Sequence, residues 1–312
     1  MNRDLSEIQQ RLLQVFKHFA AFCLENEIQY YAAYGTLIGA VRHNGFIPWD
    51  DDIDVFMKRK DYDRFVSLRN KVKKPYKIAT YLDGESPYPF AKFYTTEGTI
   101  LEYAHFPFII GPWIDVFPLT ECDGYENNRL ILEAFHYAMW KYRKAVAYAS
   151  WKEISTDVFH GNVMSATIKT VKKVRYAPFK QKYIQQIIEA EEAIGNIKGN
   201  LLGDFNTGLT NNVFPKAWFQ ETLDVPFEDT TVSVPCGYHQ LLSYLYGDYM
   251  QLPPEEKRKS HQPLYMDLKR SLKREEILKE IRLLSTGKLS LPFHVMIDEI
   301  RHRSKGWDNS LG

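Results

Sequence analysis

The sequence predicts an α+β fold, and three observations carry that expectation. Short apolar runs rich in β-branched and aromatic residues alternate with amphipathic segments before residue 120. From Tyr125 the pattern becomes helical and stays so to about Ile194. Past residue 200 it is mixed again. The expected organisation is an α+β core at 1–124, a helical segment at 125–200, and a mixed module at 201–312 that completes the same domain and ends in a polar tail.

The elements follow in order. Leu5, Ile8, Leu12, Phe16, Phe19 and Cys23 recur every three or four positions, which predicts a helix over 4–26. "IQYYAAY" (28–34) reads as a buried strand ending at Gly35-Thr36, and "TLIGAVRH" resumes helical spacing. "DIDVF" is a second short strand, followed by a helix over 60–72. "YKIATYL", "PFAKFYTT" and "TILEYA" read as strands, the last two joined by Glu97-Gly98 as a hairpin. "PWIDVFPL" (112–119) is another strand. Residues 195–212, rich in Gly and Asn, read as loop; two strands lie near 222–234, a helix runs from Tyr238 to Tyr249, and a charged helix covers about 265–284.

Composition narrows the function. The chain has 312 residues, 25% charged and 45% hydrophobic, which is ample for a sizeable core. Forty basic residues balance 39 acidic ones, so no global charge points to nucleic acid. Cys23, Cys122 and Cys236 are odd in number and far apart, against a disulfide framework or zinc site and in favour of a reducing, cytoplasmic setting. The charged N-terminus does not read as a signal peptide, and no apolar run reaches the ~20 residues of a membrane span. A membrane would therefore be met at its surface, at the inner face.

The informative stretch is "GFIPWDDDIDVF", where Asp50, Asp51, Asp52 and Asp54 crowd between apolar residues. On a strand, Asp52 and Asp54 share a face while Ile53 and Val55 take the other. Two such carboxylates repel unless a cation joins them, and Mg²⁺ favours carboxylate oxygens together with substrate phosphates. A strand-borne D-x-D is thus a platform for metal-assisted phosphoryl chemistry. Three plainer readings compete. An EF-hand loop fails because Val55 stands where glycine is needed. A solvated acidic turn and an ion-pair network with Arg42 or Lys58 stay open. Asp51 is expected to point away from the pair, and Asp50 sits at the strand entrance.

Context favours the site. In "YYAAYGTLIGAVR", Gly35 offers a tight turn and Thr36 an N-cap, so the helix start would face an anion. Asp115, alone between Ile114 and Val116 in "WIDVFP", is costly to bury unless ligated or hydrogen-bonded. If the two aspartate-bearing strands are neighbours, Asp52, Asp54 and Asp115 converge; otherwise Asp115 is a solvated strand end.

"YGTLIGAVRHNGFIPWDDDIDVFMKRKDYDRF" closely resembles the signature of the LicD family of phosphocholine transferases, which includes the fukutin-related group. The resemblance continues in "WIDVFPL", "FPKAWF" and "YGDYMQLPPEEKRKSHQP" and covers most of 30–263, with no match over 125–200. It implies a nucleotidyltransferase-like fold, a mixed sheet with a Gly-Thr turn and a D-x-D strand. It implies a CDP-activated alcohol such as CDP-choline as donor, a hydroxyl of a surface glycan or its lipid-linked precursor as acceptor, and CMP as leaving group. Carried over, Asp52, Asp54 and Asp115 are the catalytic carboxylates and the ligands of Mg²⁺ (or Mn²⁺). Gly35 and Thr36 form the nucleotide-side turn, and Asp50 assists. Arg42, Lys92 and His261 are phosphate contacts, unless Arg42 pairs with Asp50 or Asp51 and Lys92 is a solvated strand residue. A nucleotidyltransferase releasing pyrophosphate and a non-catalytic nucleotide or glycan binder are the competing functions.

Two further features are noted. A transferred choline would want an aromatic cage, and Tyr88, Phe90, Tyr94, Phe106 and Trp113 are available in a chain that is 14% aromatic, where chance clusters abound. "ATIKTVKKVRYAPFKQKY" (166–183) carries six Lys or Arg and no acid; it reads first as a solvated helix face, with contact to an anionic membrane as the alternative.

Overall fold

The computed structural model describes residues 5–84, 86–103, 106–147, 151–159, 161, 163–206, 212–260, 263–285 and 295–297. His261 and most of the polar tail lie outside the described residues.

Helix α1 (Glu7–Glu25) starts at a capping box in which Ser6 and Gln9 exchange side-chain and backbone hydrogen bonds. Its apolar stripe, with Leu12, Phe16, Phe19 and Cys23 buried, packs on the main sheet. Strand β1 (Tyr31–Ala32) leads into α2 (Tyr34–Ile38), which continues as a π-turn over Gly39–His43. Then come β2 (Asp54–Lys58), α3 (Arg59–Ser67), β3 (Tyr76–Ala79), β4 (Ala91–Thr95), β5 (Thr99–Leu101) and β6 (Trp113–Cys122). The main sheet runs β1-β2-β6-β4-β3, with β2 and β6 parallel and the other pairs antiparallel. Beyond it, α4 (Tyr125–Val146), α5 (Trp151–Phe159), α6 (Val163–Tyr176) and α7 (Lys180–Gly195) form the helical segment. Strands β7 (Leu201–Gly203) and β8 (Val213–Pro215) extend the far end of β6. A hairpin of β9 (Thr222–Phe227) and β10 (Thr230–Pro235), helix α8 (Tyr238–Tyr246), strand β11 (Tyr265–Asp267), helix α9 (Arg274–Ser285) and strand β12 (Val295–Ile297) complete the chain.

One large apolar core lies around the main sheet, built from Ile53, Val55, Phe93, Ile114 and Val116 against α1, α3 and α8. A second lies between α4 and α7, with Phe135, Tyr142 and Ile187 buried. The two meet at β6, whose ten residues are the longest strand and pair with three neighbours.

Several expectations are corrected. β2 begins at Asp54, so Asp52 lies in the loop before the strand rather than on it. Glu97-Gly98 does not close a hairpin: β5 leaves β4 and pairs with β11, because Gly98 at φ +87 turns the chain across the backbone of Asp267 and Leu268. The charged helix starts at Arg274, since 265–267 are spent on that sheet. The loop at 195–212 contains β7.

Ile114, fully buried behind the carboxylates, sets a measure of this core. Ile114→Ala is expected to lower unfolding free energy by about 2–5 kcal/mol, read from the urea midpoint at unchanged slope.

Candidate active site

The register of the sheet builds the site. Asp54 on β2 stands opposite Asp115 on β6, and Asp115 stands opposite Lys92 on β4. Acid, acid and base therefore form one row across three adjacent strands. The neighbouring positions Ile53, Val55, Ile114 and Val116 take the opposite face and are fully buried. The convergence expected of Asp54 and Asp115 thus comes from parallel pairing in register.

Lys92 is not a solvated strand residue. It is 1% exposed, and its Nζ donates to Asp115 Oδ1 at 2.7 Å and lies 3.5 Å from Glu102 Oε2. The same Nζ sits over the rings of Trp113 at 4.2 Å, Tyr88 at 4.3 Å and Phe90 at 5.5 Å. Burial alone would discharge this ammonium; Asp115 and Glu102 outweigh that and hold it charged. Asp115 also accepts from Trp113 Nε1 at 3.1 Å, while Glu102 accepts from the Tyr88 hydroxyl at 2.5 Å.

Electrostatics at the row are dominated by crowding. Burial pushes the Asp115 carboxyl up to about 6 despite Lys92. Asp54 is raised well above the carboxylate range, first by burial and then by the charges of Asp52, Asp115 and Asp50. This end of the sheet therefore carries more negative charge than Lys92 balances.

The loop before β2 is fixed from several sides. Gln9 Nε2 donates to the carbonyls of Ile47 at 3.3 Å and Asp50 at 2.9 Å. The Arg258 guanidinium stacks over Trp49 at 5.3 Å, which brings the "PPEEKRK" segment against the acidic loop. Thr36 lies in the first turn of α2 rather than capping it, and its Oγ1 accepts from Asp54 N at 2.8 Å. The sharp strand-to-helix turn is made by Tyr34 at φ 45, whose hydroxyl donates to Asp204 Oδ2 at 2.5 Å. Gly35 serves closeness instead: a Cβ there would lie 2.6 Å from Asp50 Oδ2. Arg42 Nη1 donates to the carbonyls of Tyr249 at 2.6 Å and Gln251 at 3.2 Å, tying the π-turn to that loop. Lys58 stands at the other end of β2, over the Tyr31 ring.

A cavity of about 190 Å³ opens on the row. Asp51, Asp52 and Asp115 line it with Glu102 and Lys92, and Tyr88, Phe90, Tyr103 and Trp113 supply aromatic walls. Asp51, expected to point away, faces this cavity, because Asp52 lies ahead of the strand and the strict alternation does not extend to it. Phe106 belongs to the helical core instead, and Tyr94 is not part of the lining. Glu102 went unread in the sequence, although "TILEYA" places a lone acid in an apolar strand just as "WIDVFP" does.

Among the described residues, no three His, Cys, Asp or Glu side chains form a ready-made metal cage. The donor chemistry nevertheless fits Mg²⁺, which takes one or two carboxylates plus substrate phosphates rather than an all-protein shell. The uncompensated charge around Asp52, Asp54 and Asp115 is the observation that fits it.

The parallel strand pair thus sets its two aspartates in register, and the short helix ahead of it holds Asp54 through Thr36. Residues 27–152 match the LicD/FKTN/FKRP nucleotidyltransferase domain. The chain is 32% identical over 263 residues to the lipopolysaccharide cholinephosphotransferase LicD of Haemophilus influenzae, covering 82% of this chain and 95% of that protein. It therefore belongs to the LicD family. Shorter matches join it to an uncharacterised protein of Rickettsia typhi, 40% identical over 57 residues (18% of each chain), and to one of Rickettsia prowazekii, 44% identical over 50 residues (16% of this chain, 19% of that one).

Lys92→Met removes the buried counter-charge and leaves Asp115 and Glu102 facing each other. At neutral pH it is expected to cost about 3–5 kcal/mol in chemical unfolding. Asp115 titrates near 6 folded against 3.8 unfolded, so its ionised form burdens the fold fully above pH 6. Without Lys92 that carboxyl rises further, so the loss in the variant should already shrink as the pH falls from neutral toward 6.

Proposed function

We propose that the protein transfers phosphocholine from a CDP-activated donor to a hydroxyl of a cell-surface glycan or its lipid-linked precursor, releasing CMP. The observation that carries the proposal is that Asp51, Asp52 and Asp115 line a cavity with aromatic walls, with Asp54 beside Asp115, in a chain spanning nearly the whole of a cholinephosphotransferase. Acid and aromatic faces together suit a quaternary ammonium, which rings attract and water does not strongly retain.

In this reading the core is nucleotidyltransferase-like. Asp52 and Asp54 would hold Mg²⁺ or Mn²⁺, with Asp115 the third ligand. When bound, such an ion would supply positive charge for the pyrophosphate and for the attacking hydroxyl. Asp115 takes the proton of that hydroxyl, with a carboxyl raised toward the working pH range. Lys92 fixes the Asp115 carboxylate and keeps it anionic. Thr36 positions Asp54 through its backbone amide, and Gly35 leaves space for Asp50 on the nucleotide side. Arg42 is assigned to holding the loop at 249–251, and His261 stays a proposed phosphate contact. In-line displacement needs little else than positioning and charge compensation.

The family's nucleotidyltransferase description favours one competitor, in which the nucleotide stays on the acceptor and pyrophosphate leaves. Products decide between them. With Mg²⁺ and a panel of CDP-alcohols, CMP should form fastest from CDP-choline, and chelation should abolish it. Asp52→Asn, Asp54→Asn and Asp115→Asn should each lower the rate at least about a hundred-fold with the fold intact. Pyrophosphate in place of CMP would overturn the assignment.

A further inference from the structure

The helical segment presents an anomaly that the proposed chemistry does not use. Helix α6 carries Val163, Met164, Ile168, Val171 and Val174 at helical spacing, the pattern that normally faces a core. Here those residues face solvent: Met164 is 79% exposed, Val171 58% and Val174 59%, while Ala166 is buried on the other side. Neighbouring α5 adds Phe159 at 87% and Trp151 at 57%. Single exposed apolar residues are ordinary, but an apolar stripe on adjacent helices marks a binding surface.

The charge around the stripe says what it meets. Residues 166–183 carry six Lys or Arg and no acid. Arg175 is exposed on α6 and Lys182 at the start of α7, and Lys173 Nζ lies 5.5 Å from the Trp151 ring, joining the basic flank of α6 to α5. An apolar face edged by cations and carrying aromatic residues is the surface that lies in the boundary of an anionic bilayer. No helix among the described residues is long and apolar enough to cross a membrane, so the contact would be in its plane. We infer that α5 and α6 form a peripheral docking face for an anionic lipid surface. The inference stands on these helices and not on the identity of the transferred group. A lipid-anchored acceptor would give the contact its use, since α4, on which α6 packs, also meets the segment leading to the cavity residue Tyr88, through Tyr142 Oη donating to Ser86 O at 2.8 Å.

The full chain should sediment with vesicles of mixed phosphatidylglycerol and phosphatidylcholine at low salt, and weakly with phosphatidylcholine alone. Vesicles with brominated acyl chains should quench part of the tryptophan emission. Ile168→Glu with Val171→Glu, and separately Arg175→Glu with Lys182→Glu, should each weaken binding about ten-fold or more. All four positions are surface-exposed or remote from the aspartates, so CMP release from a soluble donor should be unchanged. That comparison separates the two proposals: vesicle binding without CMP release sinks only the chemistry. Absence of vesicle binding, or binding indifferent to both variants, would overturn the docking face. So would a dimer in sedimentation velocity that Ile168→Glu with Val171→Glu dissociates, because the face would then belong to a second copy of the chain.

Discussion

Repulsion among carboxylates at one end of β2 and β6 is the constraint on which the rest of the structure depends. Asp54 and Asp115 are placed side by side by the register, and neither is easily ionised there. Lys92 is the built-in answer. It is a fully buried ammonium with a carboxylate at 2.7 Å, a second at 3.5 Å and three aromatic faces around it. Such an ion is tolerated only where every side of it is engaged. The positive charge balances only part of the row.

The supporting contacts serve that row. Thr36 holds the start of β2, Gln9 pins the loop before it from α1, and Arg258 leans on Trp49 from the C-terminal module. Gly35 is small because Asp50 needs the space. Elements distant in sequence are thus committed to the geometry of a few carboxylate oxygens, and the acidic loop has little freedom to relax its own repulsion.

Much of this could be read in the sequence, and the exceptions have physical reasons. The α+β class, α1, the aspartate strands and the 222–234 hairpin follow from local periodicity, which survives in a single chain. Asp54 and Asp115 were legible because a lone acid inside an apolar strand is costly and therefore conspicuous. The environment of Lys92 was not, since a lysine between Ala91 and Phe93 reads equally as an edge residue until its neighbours on β5 and β6 are known. Asp51 was misplaced because alternation was extended beyond the strand. Thr36 and Gly35 were recognised as important but given local roles, when their partners are Asp54 and Asp50 across a loop. The Glu97-Gly98 hairpin failed for the same reason: β5 is claimed by β11, far away in the chain.

The walls of the cavity come from far-separated parts of the chain. Ile8 and Leu12 stand on the first helix, Lys92 and Asp115 on β4 and β6, Tyr88 and Phe90 just ahead of β4, and Met266 on β11. Arg11 Nη2 fastens the two extremes by donating to Leu268 O at 3.2 Å. A complete cavity is therefore a property that emerges late. A growing polypeptide can lay down its aspartates and their strands long before it owns a compartment in which to use them. Removing α1, or the chain from Pro263 onward, would open the compartment while leaving Asp51, Asp52, Asp54 and Asp115 in the chain.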